Sequence, residues 1–129
     1  HGSRRVSGTS VRLSNGATGG TNAACQNGPI LMMSGRTPVT EETRCGARTV
    51  PIGWGQEMRD QTALVREASK WDYELKFPEQ ISGVLDRAYA IANSTPKGPV
   101  YLSLPRETLC EAIPRAGTSA ASPMQAPTA

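Results

Sequence analysis

Between residues 29 and 105 the apolar and polar positions recur with two periods, one of about two and one of about 3.6 residues, the periods of strands and helices. Ile30-Leu31-Met32-Met33 is a short continuous apolar run, opened by Pro29 and closed by Ser34-Gly35. Such a run predicts a strand buried on both faces, and therefore a parallel sheet covered by helices. Residues 36–57 carry Gly, Pro, Thr and charges without a period, so they predict a long loop, and a long loop in a compact domain is commonly functional. Asp60 is placed to cap a short helix whose apolar stripe is Leu64, Val65 and Ala68. Trp71, Tyr73 and Leu75 then alternate with Asp72 and Glu74, the pattern of a half-buried strand.

Pro78 suits the first turn of a helix, where its missing N–H costs nothing, and Glu79 suits the positive end. Ile81, Val84, Leu85, Ala88, Ile91 and Ala92 fall on one face of that helix. Asn93-Ser94-Thr95-Pro96-Lys97-Gly98 stops it, and Pro99-Val100-Tyr101-Leu102-Ser103-Leu104-Pro105 predicts another strand, with Val100, Leu102 and Leu104 on one side. Strand, helix, strand, helix, strand predicts an α/β domain with three parallel strands.

Neither period is sustained at the ends. Residues 1–28 are rich in Ser, Gly, Arg, Thr and Asn, with Val6, Val11 and Leu13 as the large apolar side chains, too few to offset the entropy of ordering the backbone. This segment is expected to be loose. Residues 112–129 hold Pro114, Pro123 and Pro127 among Ala, Ser, Thr and Gly, and are expected to be disordered. A chain of 129 residues has room for one domain.

The net charge of +3 changes little, because the basic residues are scattered. No Lys/Arg stripe interleaved with aromatics suggests a nucleic-acid groove, and Arg4-Arg5 reads as a solvated pair. The apolar run at 30–33 is far shorter than the roughly 18 residues that span a bilayer, and no signal-peptide core opens the chain, so a soluble, cytoplasmic protein is expected. Cys25, Cys45 and Cys110 are widely and irregularly spaced, which suggests reduced thiols rather than a disulfide framework or a zinc site.

The ordered motifs carry a resemblance. Gly28-Pro29-Ile30-Leu31-Met32-Met33-Ser34-Gly35-Arg36-Thr37-Pro38 resembles a strand and turn of thiamine diphosphate-dependent enzymes of the acetolactate synthase type. Trp54-Gly55-Gln56-Glu57, Ser69-Lys70-Trp71-Asp72-Tyr73 and Gly98-Pro99-Val100-Tyr101-Leu102-Ser103-Leu104-Pro105 resemble, in the same order, that family's Gln-Glu pair, Thr-Lys-aromatic strand and closing strand. The resemblance covers residues 22–110 and begins at Asn22-Ala23-Ala24, which is similar to the end of the helix preceding the first strand. It implies the C-terminal half of the family's pyrimidine-binding domain, a partial flavodoxin-like three-layer unit, with residues 1–21 and 111–129 outside it.

The family cofactor reacts after a glutamate on its pyrimidine N1' favours the imino tautomer that takes the ring-carbon proton. Residues 1–27 contain no Glu or Asp, and Gly-Asp-Gly, the start of the family's Mg²⁺-diphosphate signature, is absent from the chain. The resemblance thus implies a fragment of a lyase or carboligase, inactive alone. Its partners would be the remainder of the enzyme or another subunit, with a 2-oxo acid or acyl-CoA as the parent enzyme's substrate.

Gln56 matches a family glutamine beside the cofactor and is the one cofactor-binding candidate, its amide able to donate and accept. Glu57 is expected at the positive end of the short helix; Trp54 either caps an apolar site or, as is commoner, buries ring area, and Arg36 either binds an anion or, the favoured reading, is solvated. Arg44 and Arg48 are placed to lower the Cys45 pKa. A different reading is a non-enzymatic module that pairs with a partner through the exposed edge of an incomplete sheet.

Overall fold

The computed structural model describes residues 4–7, 10–48 and 57–113. Four parallel strands form one sheet in the order β1-β2-β4-β3, with β1 at Arg4–Ser7, β2 at Leu31–Arg36, β3 at Trp71–Glu74 and β4 at Val100–Pro105. The helices are α1 (Ser10–Cys25), α2 (Ala63–Arg66), α3 (Ile81–Asn93, entered through a 3-10 turn at Pro78–Gln80) and α4 (Arg106–Cys110). The parallel α/β sheet expected from the pattern is present, a partial flavodoxin-like fold. Among the described residues no helix is long and apolar enough to cross a membrane.

The two central strands explain the run of apolar residues. Leu31 pairs with Val100 and Arg36 with Pro105, and both strands are covered on both faces. On one face Val100 and Leu102 pack with Leu31, Met33, Trp71 and Tyr73 beneath Val84, Leu85, Ala88, Ile91 and Ala92 of α3, five of the six positions assigned to that helix face. The rings of Trp71 and Tyr73 stack, with centroids 5.6 Å apart. Lys70, just before β3, donates through Nζ to the carbonyls of Ile91 and Ser94 and to the Ser94 hydroxyl. It thereby caps α3, whose last carbonyls have no helical partner.

On the other face Leu13 of α1 and Val65 of α2 pack with Met32 and Tyr101. Leu104 does not share the fully buried state of Val100 and Leu102, being half-buried at the strand end.

Residues 1–28 depart from the expectation of a loose segment, because β1 and the 16-residue helix α1 lie there. The composition conceals the reason. Leu13, Ala17, Gly20 and Ala23 fall at steps of four, three and three, the spacing of one helix face, and are buried or half-buried. A Cβ at Gly20 would come within 2.8 Å of the Met32 sulfur, so a small residue is what lets the helix lie close against β2. The helix is held against the sheet by Leu13 together with the close approach of small residues, so a count of large apolar side chains does not reveal it.

Replacing Leu13 by Ala removes the large side chain by which, among the described residues, α1 enters this core, and is expected to cost about 2–5 kcal/mol. Urea unfolding of Leu13→Ala measures it, and an unchanged midpoint would mean that α1 is not docked.

Candidate functional site

In parallel α/β sheets ligands bind beyond the carboxyl ends of the strands. There the face toward α1 and α2 turns from apolar to polar, through Ser34 and Arg36 of β2, Glu74 of β3, and Tyr101 and Ser103 of β4. Period-two alternation places these on the same side as Met32. Gln61, in the turn that enters α2, closes over them. Its Nε2 donates to Ser34 Oγ (2.7 Å), the Gly35 carbonyl (2.9 Å) and Tyr101 Oη (3.2 Å). Ser34 and Tyr101 share a further hydrogen bond of 2.7 Å. An amide nitrogen has two hydrogens, so one of its three contacts is shared. All three side chains are buried, and mutual satisfaction removes the cost of burying them.

Beside this group Arg36 Nη1 donates to Glu74 Oε2 (2.8 Å), Lys76 Nζ to Glu74 Oε1 (3.0 Å), and Ser103 Oγ to Glu74 Oε2 (3.4 Å). Burial pushes the Glu74 carboxyl up, but the bonds from Lys76 and Arg36 outweigh it and hold the group below its ordinary value. An ionised, cation-bonded carboxylate serves as an anchor and not as a proton donor. Arg36 is therefore an ion-pair partner rather than the solvated residue expected.

The loop after β2 is tied down at two points. The first is Glu107 of α4, whose Oε1 accepts from the Val39 N–H (2.7 Å), the Thr40 N–H (2.9 Å) and the Thr40 hydroxyl (2.9 Å). Burial pushes this carboxyl up as well, but the Thr40 and Val39 donors prevail and its pKa is lowered. The second is Arg48, whose N–H bonds the Thr40 carbonyl and whose Nη2 reaches both the Pro38 carbonyl (2.9 Å) and Glu57 Oε2 (2.7 Å). Glu57 thus pairs with Arg48, while Asp60 supplies the bond at the start of the short helix, accepting from the Ala63 N–H at 3.2 Å. Gly46 has φ +82°, and a Cβ there would lie 2.8 Å from the Arg106 carbonyl, so the loop closes on α4 only with glycine.

Gln56 and Trp54 lie outside the described residues. The sequence reading missed Gln61, Ser34, Tyr101 and Glu107. For Glu107 the available signal was its place directly after the last strand; for Gln61 none existed, since only the tertiary fold brings residues 34, 61 and 101 together. Cys25, Cys45 and Cys110 are free and exposed. The Cys45 thiol is shifted up, not down, chiefly by a hydrogen bond from its side chain to Cys110, with the charge of Cys110 second; Arg106 opposes the shift and Glu111 adds to it.

No family model and no curated protein sequence matches the chain. Among solved structures it is similar to benzoylformate decarboxylase from Polynucleobacter necessarius, with a TM-score of 0.75 and 24% identity over 97% of this chain and 22% of that one. It is also similar to an enzyme from Mycobacterium smegmatis described as thiamin diphosphate-dependent, with a TM-score of 0.66 and 20% identity over 88% of this chain and 22% of that one. The chain has the fold of one segment of these enzymes. It spans about a fifth of their length.

The described residues do not fit thiamine diphosphate by themselves. Glu57, Glu74 and Glu107, the carboxylates around the strand ends, are engaged by Arg48, by Arg36 and Lys76, and by the loop N–H groups. Among the described residues no group of three His, Cys, Asp or Glu could hold a metal ion.

Depressed carboxylate pKa values stabilise the fold above the unfolded-state value and lose that effect as pH falls through the folded one. Stability is therefore expected to hold near neutrality and to fall below about pH 4.3, the ordinary glutamate value. Glu107→Gln is expected to lose about 1.5–3 kcal/mol at neutral pH, the range for hydrogen bonds to a charged group, and to flatten the acid limb. Urea unfolding as a function of pH measures both.

Proposed function

We propose that the chain is part of a thiamine diphosphate-dependent lyase or carboligase of the acetolactate synthase-like group, contributing one wall of the pyrimidine-binding domain and inactive by itself. The observation that carries this reading is the agreement of two independent features: the ordered motif set over residues 22–110, and a parallel sheet similar over nearly the whole chain to one segment of such enzymes. The unit takes in β1 and α1 as well, since α1 shares a core with β2 and β4. The remainder of the enzyme, or a partner subunit, would supply the activating glutamate and the Mg²⁺-diphosphate ligands. Gln56, at the far end of the loop held by Glu107 and Arg48, would face the cofactor. A 2-oxo acid is favoured over an acyl-CoA as the parent substrate by the likeness to a benzoylformate decarboxylase.

The alternative, an interaction module pairing through a sheet edge, draws on β1 and β3 being the outer strands, each paired on one side among the described residues. The two readings separate in the sequence that flanks this segment. On the first, calorimetry with thiamine diphosphate and Mg²⁺ yields no saturable binding in the micromolar range, and benzoylformate or pyruvate releases no CO₂ above background. On the first reading too, the DNA flanking this segment encodes a glutamate-bearing helix upstream and a Gly-Asp-Gly domain downstream. Tight cofactor binding with turnover by the chain alone would overturn the claim of inactivity. Unrelated flanking sequence would favour the module.

A further inference from the structure

Cys45 and Cys110 are 65 positions apart, yet the fold brings them together where the loop after β2 meets the end of α4. Cys45 Sγ lies 3.5 Å from the Cys110 carbonyl oxygen. A Cβ on Gly46, the residue next to Cys45, would lie 3.0 Å from Cys110 Sγ, so the two backbones pass within side-chain reach. Both cysteines are exposed and therefore open to a small oxidant. The contact lies in a region already drawn together by Glu107, which holds Val39 and Thr40, and by the close approach of Gly46 to the Arg106 carbonyl.

We propose that Cys45 and Cys110 form a reversible intramolecular disulfide that locks the loop onto α4 when the protein meets a peroxide. Exposed dithiols of this kind belong to the labile, regulatory class of disulfides rather than the structural one. Both thiols are exposed, so either one reacts first with the oxidant and the other resolves it. The first thiolate displaces hydroxide from hydrogen peroxide: an S–O bond forms, the O–O bond breaks, and the hydroxide takes up the proton lost by the thiol to become water. The second thiol, losing its proton, then attacks the sulfenic sulfur; the S–S bond forms, the S–O bond breaks and a second water leaves. Two thiols are oxidised and one peroxide is reduced to two waters.

The inference rests on the placement of the two thiols and not on the cofactor reading. Cys25, at the end of α1, is exposed as well and serves as an internal control. The purified, reduced chain is treated with a slight excess of hydrogen peroxide, blocked with an alkylating agent and cut with trypsin, which releases Cys45 in residues 45–48 and Cys110 in residues 107–115. The expected result is a linked pair of these two peptides, lost on reduction, from a monomer whose Cys25 remains alkylated. In Cys45→Ser and Cys110→Ser the remaining thiol has no adjacent partner to resolve its sulfenic acid, so the linked pair is expected to be lost and a dimedone adduct to accumulate at the remaining cysteine. Alkylation of both cysteines after peroxide, links that involve Cys25 as often, or dimers in place of the internal link would each overturn the proposal, and because these readouts come from the unsubstituted chain they do not depend on the variants folding.

Discussion

The pairing of β2 with β4 is the contact on which the rest of the molecule depends. Six residues of each strand align in parallel, so stretches of chain nearly 70 positions apart become neighbours and their carboxyl ends finish side by side. A parallel pair cannot be closed by a tight turn, and the intervening chain must cross over a face of the sheet. The long loop, α2, β3 and α3 fill that crossing, with α2 on one face and α3 on the other. Because both faces are covered, both strands are apolar along most of their length.

The polar groups at the carboxyl ends follow from the same pairing. Ser34 and Tyr101 occupy buried positions in adjacent strands and satisfy each other, and Gln61 completes the set from above. Arg36 and Glu74 come from the inner and outer strands that flank β4 and meet across it. These groups stabilise the end of the sheet and give the loop a fixed floor.

The loop after β2 illustrates how a segment without a period becomes ordered. Glu107 binds two consecutive backbone N–H groups through one oxygen, and Arg48 bridges the Pro38 carbonyl to Glu57. Charged side chains bonded to backbone take the place of a hydrophobic pattern here. The same closure brings Cys45 to the end of α4.

The apolar run at residues 30–33, the face of α3 and the alternation around Trp71 were legible in the amino-acid order, because burial on a helix or strand leaves a periodic signature that does not depend on which partner covers it. Their combination determined an α/β domain with parallel strands. The helix at Ser10–Cys25 was not legible, since beyond Leu13 its contact face is made of Ala and Gly, which leave little hydrophobic pattern in the sequence. Nor was the environment of Cys45, where neighbours in sequence, Arg44 and Arg48, suggested a lowered pKa and a neighbour in space, Cys110, raised it. Local order determines which segments are strands and helices; the pairing of distant segments decides which polar groups meet, because hydrogen bonds and charges act over a few ångströms of space, whatever the separation along the chain.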